Sequence, residues 1–135
     1  MSEKRPQPIV QGSVLVVGGG ITGMSVAIEA AEAGLEAHII ESSPTLGGRV
    51  SQLTKYFPKL CPPICGLEIN YRRLRVQERV HVHTLSRVTK LQGSPGDFQV
   101  TVEHRPRFVN DRCTACNACV DPCPVRRNND HDFGM

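Results

Sequence analysis

The sequence predicts an α/β fold built on a parallel sheet, and three features of the first third of the chain support this prediction. Apolar, mainly β-branched residues at Ser13–Val17 are typical of a buried parallel strand. A glycine-rich turn follows, and Gly20–Ala33 carries apolar residues at spacings of three and four, which predicts a helix with one buried face. A second apolar strand begins at Ala37 and ends at Glu41. This order of elements predicts a Rossmann-like βαβ unit.

The turn carries the pattern Gly18-x-Gly20-x-x-Gly23, in which each glycine has a physical role. Gly18 permits the tight turn, Gly20 leaves room for a pyrophosphate, and Gly23 lets the helix pack closely on the strand. The helix N-terminus offers N–H groups to phosphate oxygens. Glu41 follows Gly23 at roughly the distance where an acidic residue binds a ribose. The pattern therefore favours a dinucleotide site over an ordinary glycine-rich turn.

A second glycine pair, Gly47 and Gly48, comes soon after the predicted ribose-binding acid and is followed by Arg49. Backbone without side chains can again approach a ligand here, and the Arg49 guanidinium is suited to a pyrophosphate oxygen. The alternative is an ordinary turn before a helix. The order of acid, Gly-Gly and Arg resembles the flavoprotein version of the fold, and this resemblance favours FAD over NAD.

The middle of the chain predicts shorter elements. Gln52–Leu60 is expected to start as a helix that a proline then breaks. In Val80–Thr84 the alternation predicts a strand, with His81 and His83 together on a solvent-facing side. A β-hairpin is expected around a cluster of Gly, Ser, Pro and Asp. The predicted short helix and the two hairpin strands are Leu67–Arg75, Val88–Leu91 and Phe98–Val102.

Cys61 and Cys65 enclose two prolines and an isoleucine, which predicts a rigid loop. Two cysteines this close can form a redox-active dithiol beside a flavin, or supply two ligands of an iron–sulfur cluster. They can also be two small buried residues in a tight turn. The first two interpretations make both cysteines candidate catalytic or cluster-binding residues.

The most specific motif is a run of four cysteines with the spacing C-x₂-C-x₂-C-x₃-C-P. This is the bacterial ferredoxin spacing for a [4Fe–4S] cluster. Zinc sites more often bring two cysteine pairs together across a longer gap, so zinc is the weaker alternative. The fourth ligand is open, because Cys123, Cys61 or Cys65 can each complete the cluster. The run consists of Cys113, Cys116, Cys119 and Cys123.

The composition narrows the class of protein. The chain has 135 residues, enough for about one domain. Its net charge is +3 and 4% of its residues are aromatic, so it lacks the basic, aromatic surface of a nucleic-acid-binding protein. We find no apolar leader and no run of roughly 20 apolar residues, so we expect a cytoplasmic chain without a membrane span. Six clustered cysteines favour metal or redox chemistry over structural disulfides.

The order of these motifs resembles that in the flavin/iron–sulfur subunit of heterodisulfide reductase, and the resemblance includes Phe57–Cys61. The segment Cys61–Asn70 is more similar to the corresponding subunit of the quinone-interacting membrane-bound oxidoreductase of sulfate reducers. The resemblance implies an electron-transfer oxidoreductase subunit with FAD and a [4Fe–4S] cluster, acting with other subunits in a complex that can dock on a membrane. It assigns FAD binding to Gly18, Gly20, Gly23, Glu41, Gly48 and Arg49, and the cluster to Cys113, Cys116, Cys119 and Cys123.

The resemblance also predicts how the chain is divided. We expect a flexible arm at residues 1–12, an incomplete Rossmann-like FAD-binding domain with the hairpin at 13–108, and a truncated ferredoxin-like segment at 109–135. Family members continue with strands that complete the sheet, so we expect the first part of a longer protein. Two other functions stay open: a flavin-dependent disulfide reductase that uses Cys61 and Cys65, and a truncated, non-catalytic fragment that folds only with a partner.

Overall fold

The structure is a computed structural model, which describes residues 12–55, 57–58, 60–110 and 112–125. At its centre is a parallel sheet of three strands in the order β1-β2-β3. Two α-helices, one 3₁₀ helix and an antiparallel hairpin accompany the sheet in the described residues. In chain order the elements are β1 (Ser13–Val17), α1 (Ile21–Glu32), β2 (Glu36–Ile40), a 3₁₀ helix (Gly48–Gln52), α2 (Ile64–Val76), β3 (Val80–His83), β4 (Ser86–Ser94) and β5 (Asp97–His104).

The predicted βαβ unit is confirmed. Strand β1 has the predicted bounds, and helix α1 differs from the prediction by one residue at each end. Strands β1 and β2 pair in parallel, with Val16 opposite Ile39. Because β2 ends at Ile40, Glu41 lies directly beyond the carboxyl end of the strand. In open α/β sheets this edge is where ligands bind.

The core lies between α1 and one face of the sheet. Met24, Ala27, Ile28 and Ala31 form the buried stripe of α1, as their spacing predicts. Fully burying an aliphatic side chain of the size of Ile28 contributes roughly 1.5–3 kcal/mol, so this stripe fixes the helix on the sheet. The sheet residues of this core are Val16, Ala37 and Ile39. Leu67 of α2 is also buried, and so is Ile40, which lies on the opposite face of the sheet and lines the cavity under the hairpin.

The prediction of a helix beginning near Gln52 is wrong. The 3₁₀ helix ends at Gln52, and Leu53 has extended backbone with φ −74° and ψ 131°. The next helix, α2, begins at Ile64, directly after Pro63, and therefore starts earlier than the predicted Leu67. Proline is favourable at a helix start, because it fixes φ near the helical value and its missing N–H would have no helical partner there.

The hairpin of β4 and β5 lies against the face of the sheet opposite α1. The predicted strands fall inside these longer strands, whose pairing has an irregularity between Val88 and Lys90. The backbone N–H of Ser86, at the start of β4, donates to the carbonyl oxygen of Glu41 at 2.8 Å. Residues of β1, β2, β3 and the hairpin line a cavity of about 550 Å³ between the two layers.

The remaining described segments contain no regular element. Residues 105–110 and 112–125, which include the cysteine run, form turns and loops without helix or strand. In the described part of the chain, neither α1 nor α2 has the length and apolar character needed to cross a membrane. The predicted N-terminal arm lies outside the described residues except for Gly12, and the predicted three-part division stays a prediction.

Candidate cofactor-binding site

The glycine turn leaves an open approach to the start of α1. Gly18 has φ +105°, a left-handed conformation that favours glycine, and its N–H donates to the carbonyl oxygen of Ile40 at 2.8 Å. A Cβ on Gly20 would meet no atom within 4 Å. No side chain caps the N-terminus of α1, so no capping group competes with a ligand for the first N–H groups of the helix. A phosphate can therefore approach the backbone at Gly20.

Gly23 serves close packing, as its place in the motif predicts. A Cβ on this residue would lie 2.0 Å from the carbonyl oxygen of Gly18 and 3.2 Å from a methyl group of Val16. The first of these contacts is far shorter than atoms tolerate, and a backbone atom cannot turn aside as a flexible side chain can. Only glycine therefore lets the first turn of α1 approach the end of β1 this closely.

The two glycine elements, separated along the chain, meet in the structure. The N–H of Gly47 donates to the carbonyl oxygen of Gly19 at 2.8 Å, and Gly20 and Gly47 form an isolated parallel bridge. A Cβ on Gly48 would lie 3.2 Å from the Cα of Gly20. Gly47 and Gly48 both have positive φ, at +113° and +56°. The glycine pair Gly47–Gly48 and the turn Gly18-x-Gly20-x-x-Gly23 therefore form one backbone surface, which we call the cradle.

The carboxylate of Glu41 belongs to the same cradle. The residue is 7% exposed, and its Oε2 accepts a hydrogen bond from the Gly19 N–H at 2.6 Å. Its Oε1 accepts from the Ser43 N–H at 2.7 Å and from the Ser42 hydroxyl at 3.3 Å. Burial acts to raise the pKa of Glu41, but the donors at Ser43 and Gly19 outweigh it, so the net pKa is lowered. The ionised carboxylate keeps lone pairs for ribose hydroxyls.

Tyr71, on α2, supports the cradle from behind and is a residue that no sequence motif indicated. Its hydroxyl donates to the carbonyl oxygen of Leu46 at 3.0 Å. A Cβ on Gly47 would lie 2.7 Å from the same hydroxyl oxygen, so the tyrosine occupies the space that a side chain there would need. Burial raises the pKa of Tyr71, which keeps the hydroxyl protonated as a donor. No local pattern in the sequence connects this tyrosine with the glycine pair.

Arg49 lies in the 3₁₀ helix next to the cradle. The residue is exposed, and no ion pair engages it among the residues that the structure describes. The first turn of this short helix is held by the Ser51 hydroxyl, which donates to the carbonyl oxygen of Gly48 at 2.7 Å. Arg49, which directly follows Gly48 in the chain and is exposed, is therefore available to an anionic ligand.

These features fit a dinucleotide such as FAD. The open space at Gly20 and the uncapped helix start suit a pyrophosphate, because phosphate oxygens need donors and room. The ionised Glu41 suits the hydroxyl groups of a ribose, which donate hydrogen bonds to carboxylates. Arg49 can offset phosphate charge. The structure thus brings together all six residues predicted for the cofactor within the same strand-end region, while their contacts with a ligand stay a prediction.

Cys61 and Cys65 lie on either side of the start of α2, and neither forms a disulfide. Cys61 is partly exposed, and Cys65 is exposed in the first turn of the helix. The interpretation of the pair as two buried packing residues is therefore wrong for Cys65. The roles as a redox dithiol or as cluster ligands remain predictions.

The cysteine run forms an exposed, curled loop. All four of its thiols are free and exposed, and Ala115 and Asn117 have positive φ, at +54° and +63°, which tightens the loop. The pKa of the Cys116 thiol is lowered. The larger cause is a hydrogen bond from the Ala118 N–H, and the smaller is a hydrogen bond with the Thr114 side chain. Four thiols at ferredoxin spacing are a suitable donor set for iron. In the described residues, however, no three His, Cys, Asp or Glu side chains are arranged to hold a metal ion.

The chain matches a known family over most of its length. Residues 13–123 match the family described as FAD dependent oxidoreductase, a range that includes both glycine elements and the cysteine run. Among solved structures, L-proline dehydrogenase from P. horikoshii resembles this chain with a TM-score of 0.56 and 20% identity, over 70% of this chain and 20% of the other. That likeness concerns the fold alone, and it confirms the predicted Rossmann-like α/β class.

Relatives with similar sequences bear the name that the motif order suggested. An iron-sulfur subunit of CoB–CoM heterodisulfide reductase from Methanopyrus kandleri is 35% identical over 127 residues, which are 93% of this chain and 19% of that protein. The corresponding iron-sulfur subunit from Methanocaldococcus jannaschii is 35% identical over 136 residues, 98% of this chain and 21% of that protein. The chain therefore spans about a fifth of the length of these relatives.

Proposed function

Because this chain belongs to the family of FAD-dependent oxidoreductases, we propose that it is the FAD-binding part of an electron-transfer subunit in a heterodisulfide-reductase-like complex. The observation that carries the proposal is the meeting of the two glycine elements, where the Gly47 N–H donates to the carbonyl oxygen of Gly19. This contact, with the carboxylate of Glu41, makes a ribose and pyrophosphate cradle from residues far apart in sequence. The residues that hold FAD in this proposal are Gly18, Gly20, Gly23, Glu41, Gly48 and Arg49.

Each part of the cradle has a distinct task. The N–H groups at the start of α1 donate to the pyrophosphate, and the open space at Gly20 admits its oxygens. Arg49 offsets phosphate charge, and Glu41 accepts hydrogen bonds from the ribose, so adenosine is held at the strand ends. FAD, when bound, supplies the exchange of electron pairs. The chain contributes binding and orientation through these groups.

A [4Fe–4S] cluster held by Cys113, Cys116, Cys119 and Cys123 is the second part of the proposal. Their spacing supports it, because it is the ferredoxin spacing, and the positive φ angles of Ala115 and Asn117 curl the loop that carries them. The relatives at 35% identity are named iron-sulfur subunits. Cys123 completes this set, and Cys61 or Cys65 is the alternative fourth ligand.

We also propose partners for the chain. The relatives are named as subunits of heterodisulfide reductase, which supports other subunits as the electron-transfer partners. The sequence of Cys61–Asn70 supports a closer relation to the quinone-interacting oxidoreductase, and with it docking on a membrane complex from the cytoplasm. In this proposal the chain exchanges electrons with other protein subunits. Nucleic acid is not among its partners.

A second function, flavin-dependent disulfide reduction by Cys61 and Cys65, is favoured by one observation. Both thiols are free, and the exposed Cys65 lies in the first turn of α2, where a substrate can approach it. Replacing Cys61 with serine should then abolish thiol–disulfide activity while flavin stays bound. Activity that survives this replacement would exclude the dithiol mechanism.

The test of the main proposal is the cofactor content of the intact protein prepared without oxygen. We expect FAD, identified by mass after release, together with iron and inorganic sulfide in about a 4:4 ratio, as a [4Fe–4S] cluster requires. The matched control is the protein with Cys113, Cys116 and Cys119 all replaced by serine, which should keep FAD and lose iron. A preparation that contains no flavin and does not bind added FAD would exclude the proposal.

A further inference from the structure

Four histidines from three strands meet on the face of the sheet that the hairpin covers. The ring centroids of His38 and His81 are 4.8 Å apart, and those of His38 and His83 are 5.7 Å apart, with both pairs stacked. His104, on β5, brings its ring centroid to 5.7 Å from that of His83. The cluster therefore joins the sheet, through β2 and β3, to the hairpin. We call these four residues the histidine cluster.

Hydrogen bonds define the protons within the cluster. The Ser86 hydroxyl, in a residue that is 2% exposed, donates to the carbonyl oxygen of Thr84 at 2.8 Å and also contacts His104 Nδ1 at 2.8 Å. With the Ser86 hydrogen directed to Thr84, the His104 tautomer that carries a proton on Nδ1 donates to the Ser86 oxygen. His38 Nδ1 and His83 Nε2 lie 3.4 Å apart, a hydrogen bond that requires one of these nitrogens to carry no proton.

The charged groups around the cluster are distributed unevenly. His81 Nε2 lies 2.9 Å from a carboxylate oxygen of Glu36, and Arg79 approaches the same carboxylate at 3.7 Å. Asp97, from the hairpin, is the one acidic residue among those that line the cavity, and the lining residues of β1 are Ser13, Val14 and Leu15, which do not titrate in this range. A positive charge on His81 therefore has an acidic partner, whereas His83 faces three other imidazoles.

His83 is the member that least tolerates a charge. Burial lowers the pKa of His83, and the nearby His38, His104 and His81 lower it further. A protonated His83 would also lose its hydrogen bond with His38 if the His38 Nδ1 carries a proton. The docked arrangement of the hairpin therefore favours a neutral His83.

We propose that the histidine cluster is a pH-sensitive clamp, which holds the β4–β5 hairpin on the sheet while His83 is neutral and releases the hairpin when His83 is protonated. The released state exposes His83 to water and separates it from the imidazole of the hairpin, His104, so that His83 can carry a charge. The clamp uses no residue of the glycine cradle or the cysteine run, and its test requires no bound flavin.

The direction of the pH dependence follows from proton binding. A histidine with a lowered pKa in the docked state binds more protons once the hairpin is released. His83 therefore does not oppose docking well above about pH 6.5, the ordinary histidine value, and it weakens docking increasingly as the pH falls below that value. At pH 5.5 a single such histidine can weaken docking by up to about tenfold.

The test is amide hydrogen exchange of the intact protein at pH 7.5 and pH 5.5, expressed as protection factors. The N–H groups of Leu85 and Ser86 donate to Ser43 and Glu41 and thus join the hairpin base to the sheet. We expect their protection to fall by up to about tenfold at pH 5.5 for one histidine, relative to the Ala37 N–H, which donates to Arg79 within the sheet.

Two variants make the test specific. His83→Leu should lose most of this fall, while His81→Gln, which removes the imidazole with the acidic partner, should keep it. If His83→Leu fails to fold, as judged by its circular dichroism, His83→Gln replaces it, with the same expected loss. An equal fall in the wild type and in the folded variant at His83 would overturn the proposal, and so would an NMR titration in which His83 becomes protonated while Leu85 and Ser86 stay protected.

Discussion

The backbone N–H of Gly19 donates to the carboxylate of Glu41 at 2.6 Å. This bond joins the glycine turn after β1 to the residue after β2. It fixes the carboxylate at the strand ends in its ionised form, next to the open space at Gly20. Substitutions in the cradle, in α2 and in the cysteine run test the roles assigned to their residues.

Replacing Glu41 with glutamine should weaken FAD binding by about 10- to 100-fold. Hydrogen bonds to a charged group contribute about 1.5–3 kcal/mol, and each 1.4 kcal/mol is about a tenfold change in affinity. The measurement is a titration of the flavin-free protein with FAD, followed by flavin fluorescence. Glu29→Gln, an exposed residue of α1, is the control and should bind FAD normally. Equal affinities for the two variants would contradict the role of Glu41.

The stability of the flavin-free protein should depend on pH through Glu41. Because the pKa of Glu41 is lowered in the folded state from its ordinary value of 4.5, its contribution is present above that value. It is lost as the pH falls further, through the lowered folded-state pKa. Urea unfolding at several pH values between 7 and 3 measures this. Glu41→Gln should show a shallower loss than wild type, and parallel curves would refute the linkage.

Two glycine-to-alanine changes should separate binding from folding. Gly20→Ala places a Cβ in open space at φ −72°, so the fold should persist while the pyrophosphate loses its approach. Gly23→Ala places its Cβ 2.0 Å from a backbone oxygen, and overpacking of this kind costs about 1–3 kcal/mol or more. Thermal unfolding and FAD titration of both variants provide the comparison. An unstable Gly20→Ala protein, or a stable Gly23→Ala protein, would contradict this assignment.

Tyr71→Phe should destabilise the loop behind the cradle. The change removes the hydrogen bond to the carbonyl oxygen of Leu46, which contributes about 0.5–1.5 kcal/mol. We expect a lower free energy of unfolding in urea and weaker binding of FAD, since Gly47 loses its support. Arg72→Gln on the same helix is the control, because its ion pair with Glu68 is exposed and contributes little. If the two variants behave alike, Tyr71 is not a supporting residue.

Single cysteine-to-serine variants should identify the ligands of the proposed cluster. Cys113→Ser, Cys116→Ser and Cys119→Ser should each lose most of the bound iron, because a cubane cluster requires a thiolate at each iron. Cys123→Ser should behave in the same way if Cys123 is the fourth ligand, while Cys61→Ser and Cys65→Ser keep their iron. Iron and sulfide analysis with electron paramagnetic resonance measures this. Full iron content in all four variants of the run would exclude the cluster.

Local patterns in the sequence were sufficient to predict the βαβ unit. The strand at Ser13–Val17, the helix stripe and the position of Glu41 depend on residues close together in the chain, and all three agree with the structure. The hairpin was predicted with strands that are too short. Residues 92–94 look like part of a turn, yet Ser94 pairs with Asp97 in β5, so only Pro95 and Gly96 form the turn.

Features that depend on distant contacts could not be predicted in this way. The alternation of β3 placed His83 with His81 on a solvent-facing side, whereas His83 is partly covered by the hairpin and joins His104. Tyr71 is another example, because its contact with Leu46 forms only when α2 packs beside the cradle. The sequence does not indicate that His83 pairs with His104 or that Tyr71 contacts Leu46. The two members of each pair lie on separate parts of the chain, with no fixed spacing between them.

The joining of the two glycine elements has a consequence for how related chains can vary. The bond between Gly47 and Gly19 uses main-chain atoms alone, and Tyr71 likewise contacts a main-chain oxygen, at Leu46. The side chains of Pro44 and Thr45 can therefore change through evolution without breaking these main-chain bonds, provided that the length of the segment Ser42–Thr45 still returns the backbone to Gly19, whereas the Ser42 hydroxyl donates to Glu41. Changes in the number of residues there should be far more damaging than changes in their identity.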